Sequence, residues 1–335
     1  TLASVMLLGM MVIGTSAAVA YPDVDKDNNV EAIEVLQAVK VMQGDDKGNF
    51  DPDRSVSRNE MAIVMAKLLN LDYNYYKDTC PFWDVPDYAK PYVAACYANG
   101  IVSGYNATTF GGADTVTAVQ AASMMMRALG YFQHESDYAD GFVISTVRQA
   151  SKIGLFKDIN ASQDSPLTRD QVAQLALNTL ESGMVEAQKS SSDITIGSGD
   201  TAVTINGAVS YVYVTSGDSK FNTAIDDIQA TSIGTINDSP IVELGEKLYN
   251  GDLKKYGEET NNPSNESDDF GRPAVTWTYK NDKVGTYAKK NELVASYDKK
   301  VSKGDIYGLL SSAVRGDIDK GTTDLTVHVN GEALT

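Results

Sequence analysis

Two arginines stand in the same local setting. Arg58 follows Ser57 and precedes Glu60, while Arg169 follows Thr168 and precedes Gln171. A hydroxyl residue with Glu or Gln three positions on is a capping box, the start signal of a helix. Each arginine then falls at the first helical position, where a cation opposes the helix dipole at a cost of about 0.3–1 kcal/mol. Capping accounts for Ser57, Glu60, Thr168 and Gln171 and leaves the arginines unexplained. A guanidinium beside free backbone N–H groups is the chemistry of an anion site, with a fork suited to a carboxylate. Thr117 and Gln120 repeat the start signal, but Ala118 occupies the arginine's place. Fewer than three such sites are therefore expected.

Other constellations are weaker. Asp23-x-Asp25-x-Asp27-Asn28-Asn29-Val30-Glu31-x-x-Glu34 follows the ligand spacing of a calcium loop. It begins without room for the entering helix, so its plainer reading is a turn followed by an acidic helix start. No cofactor is expected beyond a structural calcium, and no metal site. Cys80 and Cys96 allow one disulfide, yet Cys96 lies in the apolar stretch Val93–Tyr97, where a buried free thiol fits equally well. Met124–Met126 reads as helix core. Two histidines, His134 and His328, lie far apart, and neither a Gly-x-Ser-x-Gly elbow nor an HExxH helix is present. Adjacent acids such as Asp226-Asp227 and Glu258-Glu259 read as solvated faces, so no catalytic residue is expected.

The elements that hold the arginines repeat along the chain. Asp23-Val24, Gly44 to Phe50 and the Ser57 cap recur as Asp84-Val85, Gly104 to Phe110 and the Thr117 cap. Gly to Phe is six residues in both copies, and Phe50 and Phe110 are sixty apart. A more worn copy runs from about Tyr138 to Ser182 and has lost the Gly-x-Phe element. Each copy reads as two helices joined by a glycine-containing loop. Ala32, Ile33, Leu36, Val39 and Val41 form one apolar face, and Met61, Val64, Met65, Leu68 and Leu69 the next. After about Ala187 the texture turns to β-branched alternation. Asn206-Gly207 predicts a hairpin between 202–205 and 209–214, and a second hairpin flanks Lys280–Lys283. A helix is expected over 306–314, a polar loop over 258–269, and a last strand over 325–329. The chain stops soon after Asn330-Gly331, which suggests truncation.

Composition sets the outer bounds. The 335 residues leave room for two or three domains, and 42% hydrophobic content suffices for packed cores. A net charge of −17 excludes the basic stripe that nucleic acid requires and disfavours anionic lipid. Residues 1–20 are uncharged and end in Ala18-Val19-Ala20, the pattern of a cleaved export signal whose basic start is missing. No membrane span is expected after cleavage.

The repeats resemble the S-layer homology family. The residues that carry the resemblance are Asp23-Val24, Gly48-Asn49-Phe50-Asp51-Pro52, Ser57-Arg58-Asn59-Glu60, Phe82-Trp83-Asp84-Val85, Gly100-Ile101-Val102-Ser103-Gly104, Phe110 and Thr168-Arg169-Asp170-Gln171. The resemblance implies an α+β multidomain chain, with an all-α triplet folded as a pseudo-threefold helical prism and a β-rich region behind it. The expected order is a signal peptide (1–20), repeats over 21–71, 72–131 and 132–186, a linker (187–193) and a β-rich region (194–335). It also implies non-covalent binding of acidic, often pyruvylated, secondary cell-wall polysaccharide, with self-association in a surface layer and a location on a Gram-positive-type cell wall. Ser57, Arg58, Thr168 and Arg169 would hold the glycan's anionic groups. Tyr88 fills the family's aromatic position and would stack on a sugar. A wall-anchored polysaccharide hydrolase, its catalytic part in or beyond the C-terminal region, is the alternative.

Overall fold

The structure is a computed structural model and describes residues 21–189, 194–196, 203–205, 209–218, 233–257, 274–288, 327–329 and 332–334. The export-signal stretch 1–20, the polar loop 258–269 and the expected helix 306–314 lie outside these residues. No helix among the described residues is long and apolar enough to cross a membrane.

Six helices form three pairs: α1 (Val30–Ala38) with α2 (Arg58–Leu68), α3 (Lys90–Ala98) with α4 (Ala118–Ala128), and α5 (Phe142–Lys152) with α6 (Arg169–Leu180). The capping boxes at Ser57, Thr117 and Thr168 are all formed. Each satisfies orphan N–H groups of its helix, worth about 1 kcal/mol per cap. Ile33, Leu36, Met61, Met65, Leu68, Met125 and Met126 are fully buried, so the methionine run is core.

Packing runs around the three repeats. α2 packs on α3, α4 on α5, and α6 back on α1. The backbone repeats that cycle in hydrogen bonds. Val56 N–H donates to the Leu167 carbonyl, Leu167 N–H to that of Val116, and Val116 N–H to that of Val56, at 3.0, 3.0 and 2.9 Å. The ring places the N-termini of α2, α4 and α6 around one centre, each facing the loop of a neighbouring repeat.

The loops are built alike in the first two repeats. Asp23 accepts hydrogen bonds from Phe50 N–H and Asp51 N–H, and Asp84 accepts from Phe110 N–H and Gly111 N–H. Both oxygens of Asp23 thus clamp a loop. Asp25 accepts from Asp27 N–H, and Asn28 accepts from Asp25 N–H, so the calcium-like spacing serves a local turn. Tyr21 packs 5.4 Å from Phe50 and Phe82 5.4 Å from Phe110, centroid to centroid. Glycine is required at Gly44 and Gly104 because a Cβ would stand 2.4 Å from the Tyr21 or Phe82 ring. Cys80 and Cys96 are both free thiols, which resolves the open alternative against a disulfide. Burial pushes the Cys96 thiol up to about 12.

The β-rich region departs from expectation in its pairing. Strand β1 (Val185–Lys189) pairs with β4 (Val209–Tyr213), and β2 (Ile194–Ile196) pairs with β3 (Val203–Ile205). The expected hairpin of 202–205 with 209–214 is therefore replaced by nested pairs, while Asn206 and Gly207 lie outside the described residues. Backbone bonds hold the outer pair, since Val214 N–H donates to Met184 O and Val185 N–H to Leu129 O. Residues 187–189, expected in a linker, belong to β1. Next come β5 (Thr235–Ile236), β6 (Ser239–Pro240), α7 (Leu244–Tyr249), β7 (Leu253–Gly257), β8 (Ala274–Tyr279) and β9 (Asp282–Ala288). β7, β8 and β9 form a three-stranded sheet in that order, and Lys280 and Asn281 turn between β8 and β9 with φ of 53° and 69°, as the second expected hairpin requires. At the end β10 (Val327–Val329) meets a returning strand, β11 (Glu332–Leu334).

Two compact units divide the described residues. One holds every helix and runs through Tyr256, with Trp277–Gly285 included; the other comprises the remaining described residues.

Candidate functional site

The arginines lie at seams between repeats. Arg58, at the start of α2, reaches into the loop of the second repeat. Its Nε donates to Phe110 O at 3.2 Å and its Nη2 to Ser103 O at 2.8 Å. The guanidinium sits 4.9 Å from the Tyr105 ring centroid and 4.7 Å from that of Phe110. Tyr105 is tethered in turn, its hydroxyl donating to Asp114 at 2.9 Å. Only 5% of Arg58 is exposed. Burial lowers its pKa from the ordinary arginine value, against the pull of Tyr105, Asp114 and Asp84.

Arg169 repeats the arrangement between the third repeat and the first. Its Nε donates to Phe50 O at 2.7 Å and its Nη2 to Gln43 O at 2.8 Å, with the guanidinium 4.6 Å from the Phe50 ring centroid. No counterpart of Tyr105 covers it, because Asp45 stands at the matching place after Gly44. Arg169 is accordingly half-buried. Burial lowers its pKa first and the neighbouring Arg54 second. Arg54 is ion-paired to Glu60 at 2.8 Å. An open cavity of about 410 Å³ adjoins through Gln43 and is lined also by Lys40, Lys67 and Tyr73.

The seam between the second and third repeats has neither half of this device. Ala118 N–H and Val119 N–H donate to Ser165 O and Gln163 O, so the backbone contact survives. The third loop has lost its Gly-x-Phe element, and its carbonyls at Leu155 and Lys157 are held by Asn178 instead. The missing arginine and the missing loop element, read separately along the chain, meet at one seam.

The helix N-termini do not offer the free N–H groups that the anion reading needs. Arg58 N–H and Asn59 N–H donate to Asp114 O and Gly112 O, and Arg169 N–H and Asp170 N–H to Arg54 O and Pro52 O. Ser57 and Thr168 are spent as caps: each side chain accepts from the N–H three residues on, and each N–H donates to Glu60 or Gln171. Tyr88 lies in the turn ahead of α3 with 63% of its surface exposed, and no hydrogen bond or ring contact joins it to either arginine among the described residues. Trp83 is 77% exposed beside the second loop, its backbone N–H donating to Thr108 O. Its position next to the loop-clamping Asp84 is the signal that could have singled it out. No group of three or more metal-ligating side chains occurs among the described residues.

Three capped helix pairs, two of them with aspartate-clamped glycine loops and two of their seams bridged by arginine, define a helical repeat module. Residues 20–62 and 81–117 match the S-layer homology domain, and the chain carries that domain. Similar proteins include the Surface-layer 125 kDa protein of Lysinibacillus sphaericus, 28% identical over 197 residues, 53% of this chain and 16% of that one. The S-layer protein sap of Bacillus anthracis is 30% identical over 131 residues, 38% of this chain and 16% of that one. An Endoglucanase of Bacillus sp. (strain KSM-635) is 30% identical over 142 residues, 40% of this chain and 15% of that one. The aligned parts thus span about a sixth of these relatives. The protein is a secreted cell-surface protein.

Proposed function

We propose that the three helix pairs form a pseudo-threefold prism that anchors the protein non-covalently to acidic, pyruvylated secondary cell-wall polysaccharide. The observation that carries this reading is the seam of Arg169. In a chain of net charge −17 it gathers Arg169 and Arg54, with Lys40 and Lys67 lining the adjoining cavity. Arg169 is the ligand-facing arginine, offering charge-assisted hydrogen bonds to a sugar-borne carboxylate. Arg58 sits beneath Tyr105 and positions the second loop, while the exposed rings of Trp83 and Tyr88 offer stacking faces for sugar. Ser57 and Thr168 hold the helix starts. The anchored chain would also self-associate in a surface layer, as its surface-layer relatives suggest. Pull-down of the full chain on purified sacculi, before and after stripping the secondary polysaccharide, tests this. Binding lost on stripping is expected; equal binding to stripped sacculi would overturn the glycan assignment.

A second reading has an observation of its own, since one similar protein is an endoglucanase. There the same module would tether a polysaccharide hydrolase. Release of reducing sugar from wall glycan by the full-length protein would favour it.

A further inference from the structure

At the end of α6, Glu181 shares a half-buried pocket with Glu31, which belongs to the first turn of α1. These helices come from the third and first repeats and pack on each other. Two carboxylates turned toward one another would repel, yet both are held by the chain that follows the repeats. Lys255 of β7 ion-pairs with Glu181 and stands 3.6 Å from Glu31, its own side chain 15% exposed. Trp277 of β8, fully buried, donates its indole N–H to Glu31 at 2.6 Å, and the Lys255 ammonium lies 5.2 Å from the Trp277 ring centroid. One cation and one N–H donor thus hold a pair of acids contributed by two repeats, the lysine lying between them and offsetting part of their repulsion. A buried lysine is retained only where such partners offset its desolvation.

We propose that the segment carrying Lys255 and Trp277 is a clasp that closes the seam between the third and first repeats, so the repeat module includes residues up to about 285. The connection to the arginine is short. Glu31 lies two residues beyond Asn29, whose backbone N–H and side-chain amide donate to the Asp170 carboxylate at 2.7 and 2.6 Å. Asp170 adjoins Arg169. No comparable contact from β7 or β8 reaches the seam of Arg58 among the described residues, so the clasp acts on one seam selectively. If Arg169 holds glycan, which rests on the function proposed above, the chain beyond the repeats governs how firmly that site is formed.

Amide hydrogen exchange on the full chain tests this without any ligand. In Lys255→Ala, exchange at Asn29, Arg169 and Asp170 should rise about tenfold or more as the seam opens locally, while Arg58 and Asn59 stay at wild-type rates. Trp277→Phe keeps the ring but loses the donor, and should raise the same amides by a smaller factor. Equal increases at both seams, or none at Asn29, Arg169 and Asp170, would overturn the clasp. Binding of Lys255→Ala to sacculi should fall with the exchange change. Wild-type protein that fails to bind sacculi would sink the function reading and leave the clasp standing, because exchange alone reads the seam.

Discussion

The seam of Arg58 and the seam of Arg169 are built from the same parts and finished differently. In each, an arginine at a helix start spans the seam to two carbonyls of a neighbouring loop and lies on that loop's phenylalanine. The two loops differ throughout between glycine and phenylalanine, and two of the differences bear on the arginine: Tyr105 against Asp45, and Asp114 against Arg54. Tyr105 closes over Arg58 and is pinned by Asp114, whereas Asp45 leaves Arg169 half-exposed beside Arg54. A conserved-looking motif letter can thus serve as an internal strut at one seam and face solvent at the next. The difference lies in the loop and the residues after it, Tyr105 with Asp114 at one seam and Asp45 with Arg54 at the other, not in the arginine.

The comparison can be broken by removing each arginine in turn. Arg58→Ala leaves Phe110 O and Ser103 O without their donors in a buried place, and should cost about 2–4 kcal/mol in urea unfolding. Ala118→Arg asks whether the bare seam accepts the device. With no Gly-x-Phe loop to receive it and a buried alanine to displace, it should destabilise by about 1–3 kcal/mol and add no sacculus binding. Arg169→Ala should cost only about 1–2 kcal/mol, since water reaches the exposed Gln43 carbonyl, yet it should weaken sacculus binding more than Arg58→Ala does. The reverse order of binding losses would exchange the roles assigned to the two arginines.

Smaller changes sharpen the contrast. Tyr105→Ala uncovers Arg58 and removes one cation–π contact, worth about 1 kcal/mol or less; thermal unfolding reads the loss. The acid dependence of the second loop is a further mark. Burial raises the Asp84 pKa, but the N–H groups of Phe110 and Gly111 outweigh it and hold the carboxyl below its ordinary value of 3.8. Its folded value is depressed, so its stabilisation is present above the unfolded value and lost as pH falls through the folded one. Acid unfolding of Asp84→Asn should therefore be less steep below about pH 4 than that of wild type.

Much of the helical half was legible along the chain. Three capping boxes, the six-residue Gly-to-Phe interval and the apolar faces of α1 and α2 are local patterns, and local hydrogen bonds and burial realise them directly. The absence of the arginine bridge from one seam was legible too, as Ala118 and as a shortened third loop. The strand pairing was harder. Asn206-Gly207 pointed to a hairpin between neighbours, while β4 pairs instead with β1, whose first residue is tied to Leu129 O of the second repeat. A contact that distant leaves no local periodicity to read.

By itself the sequence determined the helix starts, the repeat unit and its worn third copy, because capping and amphipathic spacing act within a few residues. Only the tertiary structure decided that the arginines face neighbouring loops, that the N–H groups of Arg58, Asn59, Arg169 and Asp170 are spent on loop carbonyls, and that Glu31 and Glu181 share one lysine from β7. Those pairings join residues 45 to 224 positions apart, and closing the ring of repeats is what brings them within hydrogen-bonding reach.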